Sequence, residues 1–190
     1  MNKPVVLITG GLTGIGRAAA IAFAKKGAKV VVAGRRNEAG KELVKELRSL
    51  GTEAEFINAD VRKEDDVRAL VDKTVARFGR LDVAVNNAAT EGQVGPITDQ
   101  TAQSFAATFE TNVLGVVLSM KHEVRAMQAQ GSGSIINISS TYGHRARVSP
   151  RSTSGPSTPS KASRSRWHSK SPSRGSASTP SRPAQRTPAC

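Results

Sequence analysis

The sequence predicts an α/β fold in which helices cover both faces of a doubly wound parallel sheet. Short apolar runs alternate along the chain with stretches whose apolar residues recur at helical spacing, which is the order of elements in such a sheet. The runs are continuously apolar, as expected of strands that are covered on both faces. With 190 residues, the chain is long enough for one domain with a substantial core.

The first strand and the first helix flank the glycine-rich stretch Thr9–Gly16, which reads TGGLTGIG. In a turn between a buried strand and a helix, Gly10 would permit the tight reversal, Gly14 would let backbone amides approach a pyrophosphate, and Gly16 would let the helix pack closely on the strand. An anion would lie at the positive N-terminus of that helix. An ordinary glycine-rich turn is the alternative, but the flanking elements favour a nucleotide-binding turn. The candidate binding residues of this turn are Thr9, Gly10, Leu12, Thr13, Gly14, Ile15 and Gly16.

The later elements continue the alternation. We expect strands at 29–34, 54–58, 81–86 and 133–139, helices at 37–50, 63–78 and 101–130, and a polar loop over 90–100. Asn37 is a suitable N-cap for the first of these helices. Gly51 and Gly79 are suitable residues to end the first and the second.

The end of the second strand carries information about the cofactor, because ligands of such sheets lie beyond the carboxyl ends of the strands. An acidic residue there would bind the ribose hydroxyls of NAD. Here the sequence has Arg35 and Arg36, whose guanidinium groups could pair with the additional phosphate of NADP. Two exposed arginines that merely open a helix are the alternative. The sequence therefore favours NADP over NAD.

The glycine spacing Thr-Gly-x-x-x-Gly-x-Gly resembles that of the classical short-chain dehydrogenase/reductase family, and the resemblance extends over residues 3–143. It implies a Rossmann-like sheet and hydride transfer between a nicotinamide and a small carbonyl or alcohol substrate. In the family an Asp after the third strand contacts the adenine, which corresponds here to Asp60 with Val61. Capping of the next helix is an equally open interpretation of Asp60.

Two further stretches carry the resemblance. The sequence Asn86, Asn87, Ala88, Ala89 is similar to the family's Asn-Asn-Ala-Gly, which supports the central sheet and lines the cofactor cleft. Ala89 stands where the family has glycine, and it would crowd the backbone if this position needed a positive φ. Asn112 lies where the family has an Asn that holds a water in its proton relay, although a solvated helix Asn is the alternative reading.

The resemblance also implies a catalytic serine, Ser140, which in the family hydrogen-bonds the substrate oxygen. The family's general acid/base is a tyrosine thirteen residues further on, followed after four residues by a lysine. This sequence has Thr153 and Ser157 at those positions, and Tyr142 is too close to Ser140 to substitute. Loss of a general acid typically costs ~10²–10⁴-fold in rate. The chain as written is therefore expected to be a poor enzyme or none.

From Arg145 the composition changes abruptly to Ser, Arg, Pro and Thr. Residues 145–190 contain no acid and hold +10 of the net charge of +13. Because this segment has no apolar periodicity, we expect it to be a disordered basic tail that follows a dinucleotide-binding domain of residues 1–144. One interpretation is an arm that binds nucleic acid electrostatically.

The genetic code supports a different interpretation of the tail. Read one base out of frame, the codon that straddles Ser152 and Thr153 can encode Tyr, and the codon that straddles Pro156 and Ser157 can encode Lys. The stretch 177–190 is likewise compatible with the family's Asn-x-x-x-x-Pro-Gly-x-x-x-Thr cofactor loop. We therefore favour the hypothesis that the chain from about Arg145 is a frameshifted translation of a gene for a complete reductase. The sheet would then be truncated after its fifth strand, and nucleic acid would not be a partner.

The remaining features concern the compartment of the protein, a metal site and its oligomeric state. The single cysteine, Cys190, allows no intrachain disulfide, and no apolar run has the length of a membrane span or signal peptide, so a cytoplasmic protein is expected. The three histidines show no metal-ligand spacing, so no metal site is expected. The intact family forms homo-oligomers through a four-helix interface, and this expectation is weakened because only one of the two helices is encoded.

Overall fold

Strands and helices alternate along the chain. The computed structural model describes residues 3–140 and the backbone of 164–168. The strands are β1 (Val5–Thr9), β2 (Lys29–Gly34), β3 (Ala54–Asn58), β4 (Val83–Asn86), β5 (Ser132–Asn137) and β6 (Arg164–His168). The α-helices are α1 (Gly14–Lys25), α2 (Asn37–Ser49), α3 (Glu64–Phe78), α4 (Ala102–Phe109) and α5 (Gly115–Gln130).

The strands form one sheet in the order β3-β2-β1-β4-β5-β6. The first five strands are all parallel, and β1 lies at the centre, where Val6 pairs with Val30 of β2 and with Val83 of β4. The chain builds outward from β1 in one direction through β2 and β3, and in the other through β4 and β5. The predicted doubly wound, Rossmann-like parallel sheet is thus confirmed.

The structure adds one strand that the sequence pattern did not predict. β6 pairs antiparallel with β5, with Gly133 opposite Trp167. An edge strand of this kind needs only backbone hydrogen bonds to its neighbour, so its sequence need not show the apolar run of a buried strand. The other predictions for the tail, including its disorder and the roles of Tyr142, Thr153 and Ser157, concern residues outside the described part.

The core consists of two layers, one on each face of the sheet. Val6, Ile8 and Val32 pack on one face among buried residues of α1 and α2. Leu7 and Val31 lie on the opposite face, where α3 and α5 cover them. Successive residues of a strand point to opposite faces, so the continuous apolar runs of β1 and β2 supply both layers.

The predicted helix over 101–130 is interrupted. Thr101 caps α4 through a capping box with Ser104, and a π-helical turn at Glu110–Leu114 then separates α4 from α5. The predicted N-cap of α2 was also wrong. Arg36 holds that position, and the Asn37 side chain accepts a hydrogen bond from Asn58 Nδ2 at 2.7 Å instead of capping the helix.

Candidate dinucleotide site

The glycine-rich turn brings three backbone segments into close contact. Gly10 has a φ of +63°, and a Cβ added there would lie 2.7 Å from the Cα of Ala88. A Cβ on Gly16 would lie 2.5 Å from the carbonyl oxygen of Gly10 and 2.5 Å from Nδ2 of Asn87. Only glycine fits at both positions, so the first turn of α1 can approach the β1 end and the loop after β4 directly.

Among the other residues of the turn, some are packed against the sheet and others are exposed. Leu12 is buried next to Gly34, at the end of β2. Thr13 is the N-cap residue of α1, its side chain makes no capping hydrogen bond, and Ile15 is 65% exposed. Gly14 has a φ of +52° and open space around its missing side chain, and no acidic residue lies in the first turn of α1. The start of α1 thus presents uncovered backbone and no negative charge.

Asn87 and Thr9 join the ends of β1 and β4. Thr9 Oγ1 accepts hydrogen bonds from the amides of Asn87 and Ala88, at 3.2 and 3.3 Å. Asn87 Nδ2 in turn donates to the carbonyl of Gly10 at 2.9 Å. Ala89 does not have a positive φ, so its replacement of glycine does not strain the backbone.

Asn86 lies beneath this edge in a buried polar cluster. Its Nδ2 donates to Glu123 Oε2 and to Asn137 Oδ1, each at 3.0 Å. Glu123 is 1% exposed, and burial raises its carboxyl pKa to about 7. Glu123 was not among the residues predicted from the sequence. The available signal was its place four residues before Met127, which puts an acid on the apolar face of a helix.

The ends of β2 and β3 carry the charged groups of the site. Arg35 and Arg36 follow β2 and are exposed. Asp60 does not cap α3, whose N-cap residue is Lys63. Its carboxylate instead accepts from Arg62, with Nη2 2.6 Å from Oδ2, and this contact holds the pKa of Asp60 below its usual range. Arg35 adds to that lowering through its charge, so it lies within electrostatic reach of Asp60.

A cavity of about 380 Å³ opens beside these charges. Arg35 and Arg62 line one side, and the loop after β4 and residues of α4 line the other. This volume lies in the range of small-molecule sites. Val61, buried next to this region, packs against Gly115, where a Cβ would approach Val61 Cγ2 to 2.7 Å.

The two predicted catalytic residues lie on different elements. Asn112 is half-buried in the π-helical turn, where Nδ2 donates to the carbonyl of Thr90 at 2.8 Å and Oδ1 accepts from the amide of Thr90 at 2.9 Å. It is therefore not the solvated helix Asn of the alternative reading. Ser140 is exposed and follows the end of β5. The positions expected to hold the tyrosine and the lysine lie outside the described residues.

Within 3–140 and 164–168, no helix has the length and apolar character needed to cross a bilayer. The same residues contain no group of three His, Cys, Asp or Glu side chains that could hold a metal ion.

Known proteins resemble the chain in sequence. An uncharacterized oxidoreductase of Thermotoga maritima is 46% identical over 139 residues, which make up 73% of this chain and 54% of the relative. Xanthoxin dehydrogenase of Arabidopsis thaliana is 43% identical over 154 residues, 80% of this chain and 54% of the relative. The chain spans about half the length of the curated relatives it matches.

Solved structures also resemble the chain in fold and in sequence. A short-chain type dehydrogenase/reductase from Mycobacterium marinum superposes with a TM-score of 0.75 at 37% identity, covering 80% of this chain and 61% of that one. An actinorhodin polyketide ketoreductase with NADPH gives a TM-score of 0.73 at 37% identity, covering 77% and 56%. The model of the family described as short chain dehydrogenase matches residues 4–153. This chain belongs to the short-chain dehydrogenase/reductase family.

Proposed function

We propose that the chain binds NADP(H) in preference to NAD(H) and derives from an oxidoreductase that transfers hydride between the nicotinamide and a small carbonyl or alcohol. The observation that carries the preference is the pair Arg35 and Arg36, exposed at the end of β2 where the sequence has no acid. A 2′-phosphate there would gain charge-assisted hydrogen bonds, whereas ribose hydroxyls would find no carboxylate acceptor on this loop. Solved relatives occur with NADPH and with NAD⁺, so they do not decide between the two.

The residues of the site fit a dinucleotide. The backbone at Thr13–Ile15 would hold the pyrophosphate, because the start of α1 is uncovered and carries no acid. Asp60 and Val61 would contact the adenine. The loop Asn86–Ala88 would lie along the nicotinamide half. The bound nicotinamide would supply or accept the hydride.

We infer that catalysis by the chain as written is weak. Ser140 would orient the substrate oxygen, and Asn112 would support a proton relay. Neither residue is a general acid/base at neutral pH, and positions 153 and 157 hold Thr and Ser instead of Tyr and Lys. We therefore expect the chain to bind the dinucleotide but to show little or no turnover. We also infer that the functional domain is residues 1–144, in a cytoplasmic setting.

Titration of the full chain with NADPH and NADH tests the cofactor preference. Arg35→Ala and Arg36→Ala should each weaken NADPH binding by about tenfold or more and leave NADH binding within about twofold, because a charge-assisted hydrogen bond contributes roughly 1.5–3 kcal/mol. Arg77→Ala is the matched control, since Arg77 lies in the last turn of α3, away from the carboxyl ends of the strands. Equal loss of both cofactors in the Arg35 and Arg36 variants would contradict the preference.

A further inference from the structure

Glu123 is an acid within the packed layer between α5 and the sheet. Its side chain is 1% exposed, and Ser119 and Met127 are buried on the same helix face. A carboxylate buried without a cationic partner is strongly unfavourable, and a group in that position tends to stay neutral instead.

No described charged group compensates a carboxylate at this position. β4 and β5 carry no titratable side chain. On α3, Glu64 pairs with Lys121 and contacts His122, while Asp72 pairs with Arg125. Glu110 of the π-helical turn is exposed. Burial is the dominant influence on the Glu123 carboxyl, and its hydrogen bond from Asn86 only partly opposes it.

Asn86 has an acceptor that a neutral Glu123 could satisfy. Both N–H groups of its amide are used, by Glu123 Oε2 and by Asn137 Oδ1. Its Oδ1, in contrast, is the one buried side-chain polar atom of the described residues that has no hydrogen-bond partner. A protonated carboxyl has one O–H donor, and an acid and a primary amide can pair through two hydrogen bonds in opposite directions.

This cluster joins the strand ends that form the site. Asn86 is the last residue of β4 and immediately precedes Asn87 and Ala88. Its carbonyl accepts from the amide of Ile138 at 2.9 Å. Asn137 is the last residue of β5, three residues before Ser140. A change in the Asn86 side chain therefore acts on both strand ends.

We propose that Glu123 is a positioning residue that is held as the neutral acid, donates its proton to Asn86 Oδ1, and thereby fixes the ends of β4 and β5 at the dinucleotide site. Its effect on cofactor affinity rests on the proposed function. Its effect on stability rests on the geometry alone.

Glu123→Gln tests the proposal in the full chain. A carboxamide keeps one donor for Asn86 Oδ1 and one acceptor for Asn86 Nδ2, but it does not titrate. Between pH 5 and pH 8, the unfolding midpoint of the wild type should fall by about 5 °C or more relative to Glu123→Gln. Over the same range, NADPH affinity should weaken about fivefold in the wild type relative to Glu123→Gln, because the titration of the 2′-phosphate of NADPH affects both proteins equally. Glu123→Ala should weaken binding at every pH.

The control is Glu42→Gln, which removes an exposed acid from α2 and should leave the wild-type pH profile unchanged. If the unfolding midpoints of wild type and Glu123→Gln change with pH by the same amount, the assignment of Glu123 as a neutral acid is overturned. If the unfolding midpoints behave as predicted but NADPH affinity changes with pH in the same way in wild type and Glu123→Gln, the positioning role is overturned. Absence of NADPH binding by the wild type would overturn the proposed function, and the unfolding curves would still decide the protonation state. If Glu123→Ala does not fold, the comparison of Glu and Gln suffices.

Discussion

Gly16 shows how a missing side chain sets the spacing of the site. A Cβ added to Gly16 would lie 2.5 Å from the carbonyl oxygen of Gly10 and 2.5 Å from Nδ2 of Asn87. The close packing of α1 on β1 therefore requires glycine at this position. The need for glycine was predictable, because the motif itself encodes the close approach. The roles of Arg62 and Glu123 were not predicted. Nothing in the local sequence shows that Arg62 pairs with Asp60, and the helical spacing of Glu123 from Met127 indicates burial but does not identify Asn86 as its partner.

Gly16→Ala should destabilise the fold by ~1–3 kcal/mol and abolish dinucleotide binding, because the added methyl group must displace the turn or Asn87. Urea unfolding and NADPH titration measure the two effects. Gly27→Ala is the control: Gly27 has a φ of +81° but open space around it, so this variant should lose stability and keep binding. Retained NADPH affinity in Gly16→Ala would contradict the role given to the turn.

Arg62→Ala should lower stability by about 1 kcal/mol at pH 7, because it leaves the half-buried Asp60 carboxylate without its bidentate partner. The pair lowers the pKa of Asp60 in the folded state. Its contribution is therefore present above the unfolded pKa and is lost as the pH falls through the folded pKa. The difference between variant and wild type should accordingly shrink below about pH 4.

Urea unfolding at pH 7 and pH 3 measures this difference. Arg68→Ala removes an exposed pair with Asp65 and should change stability by less than about 0.5 kcal/mol at either pH. A loss in Arg62→Ala that is the same at both values would show that the side chain acts by packing and not by charge.

The π-helical turn between α4 and α5 depends on a contact distant in sequence. Asn112 binds both backbone groups of Thr90, 22 residues earlier, and so ties the loop after β4 to the helix. The five parallel strands and the flanking helices were predictable because their apolar patterns are local. The π-helical turn and the antiparallel β6 were not, since both are defined by backbone or side-chain partners elsewhere in the chain.

Asn112→Ala should release this loop and cost about 1–2 kcal/mol, the net value of two hydrogen bonds. Hydrogen exchange at the amide of Thr90 should become faster, because that amide loses its acceptor. Thr111→Ala is the matched control, since the Thr111 hydroxyl donates to Ala107 in the preceding turn. Unchanged protection at Thr90 would mean that the loop is held by other contacts.

The distribution of charge divides the whole chain at about residue 145. Of its 28 basic residues, 18 share residues 1–144 with all 15 acids, while the rest of the chain has no acid. Most of the ion pairs of the described part are exposed surface pairs, typical of an ordinary domain. The strongly basic composition is therefore a property of the tail and gives no reason to assign a nucleic-acid partner to the folded part.

Sequencing of the gene across the codons for Gly143 to Thr153 and beyond the codon for Cys190 should reveal a single-base insertion or deletion. The restored frame should place Tyr and Lys at positions 153 and 157, and its product should oxidise NADPH with a carbonyl substrate where the present chain does not. Confirmation of the present frame, with no shifted frame that supplies both residues, would end the frameshift hypothesis. The tail would then become a candidate nucleic-acid-binding arm, tested by salt-dependent DNA binding that disappears without residues 145–190.

The central position of β1 has a consequence for biosynthesis. β1 leaves the ribosome before β2, which covers one of its edges soon afterwards. The other edge of β1 pairs with β4, and the amide of Val5 donates to the side chain of Asp82, which lies just before β4 and 77 residues after Val5. Until β4 is translated, the nascent chain carries an apolar strand with an open edge at the middle of its future sheet. Such edges invite pairing with other chains. We therefore expect translation to pass through an interval of chaperone dependence that ends when β4 has emerged.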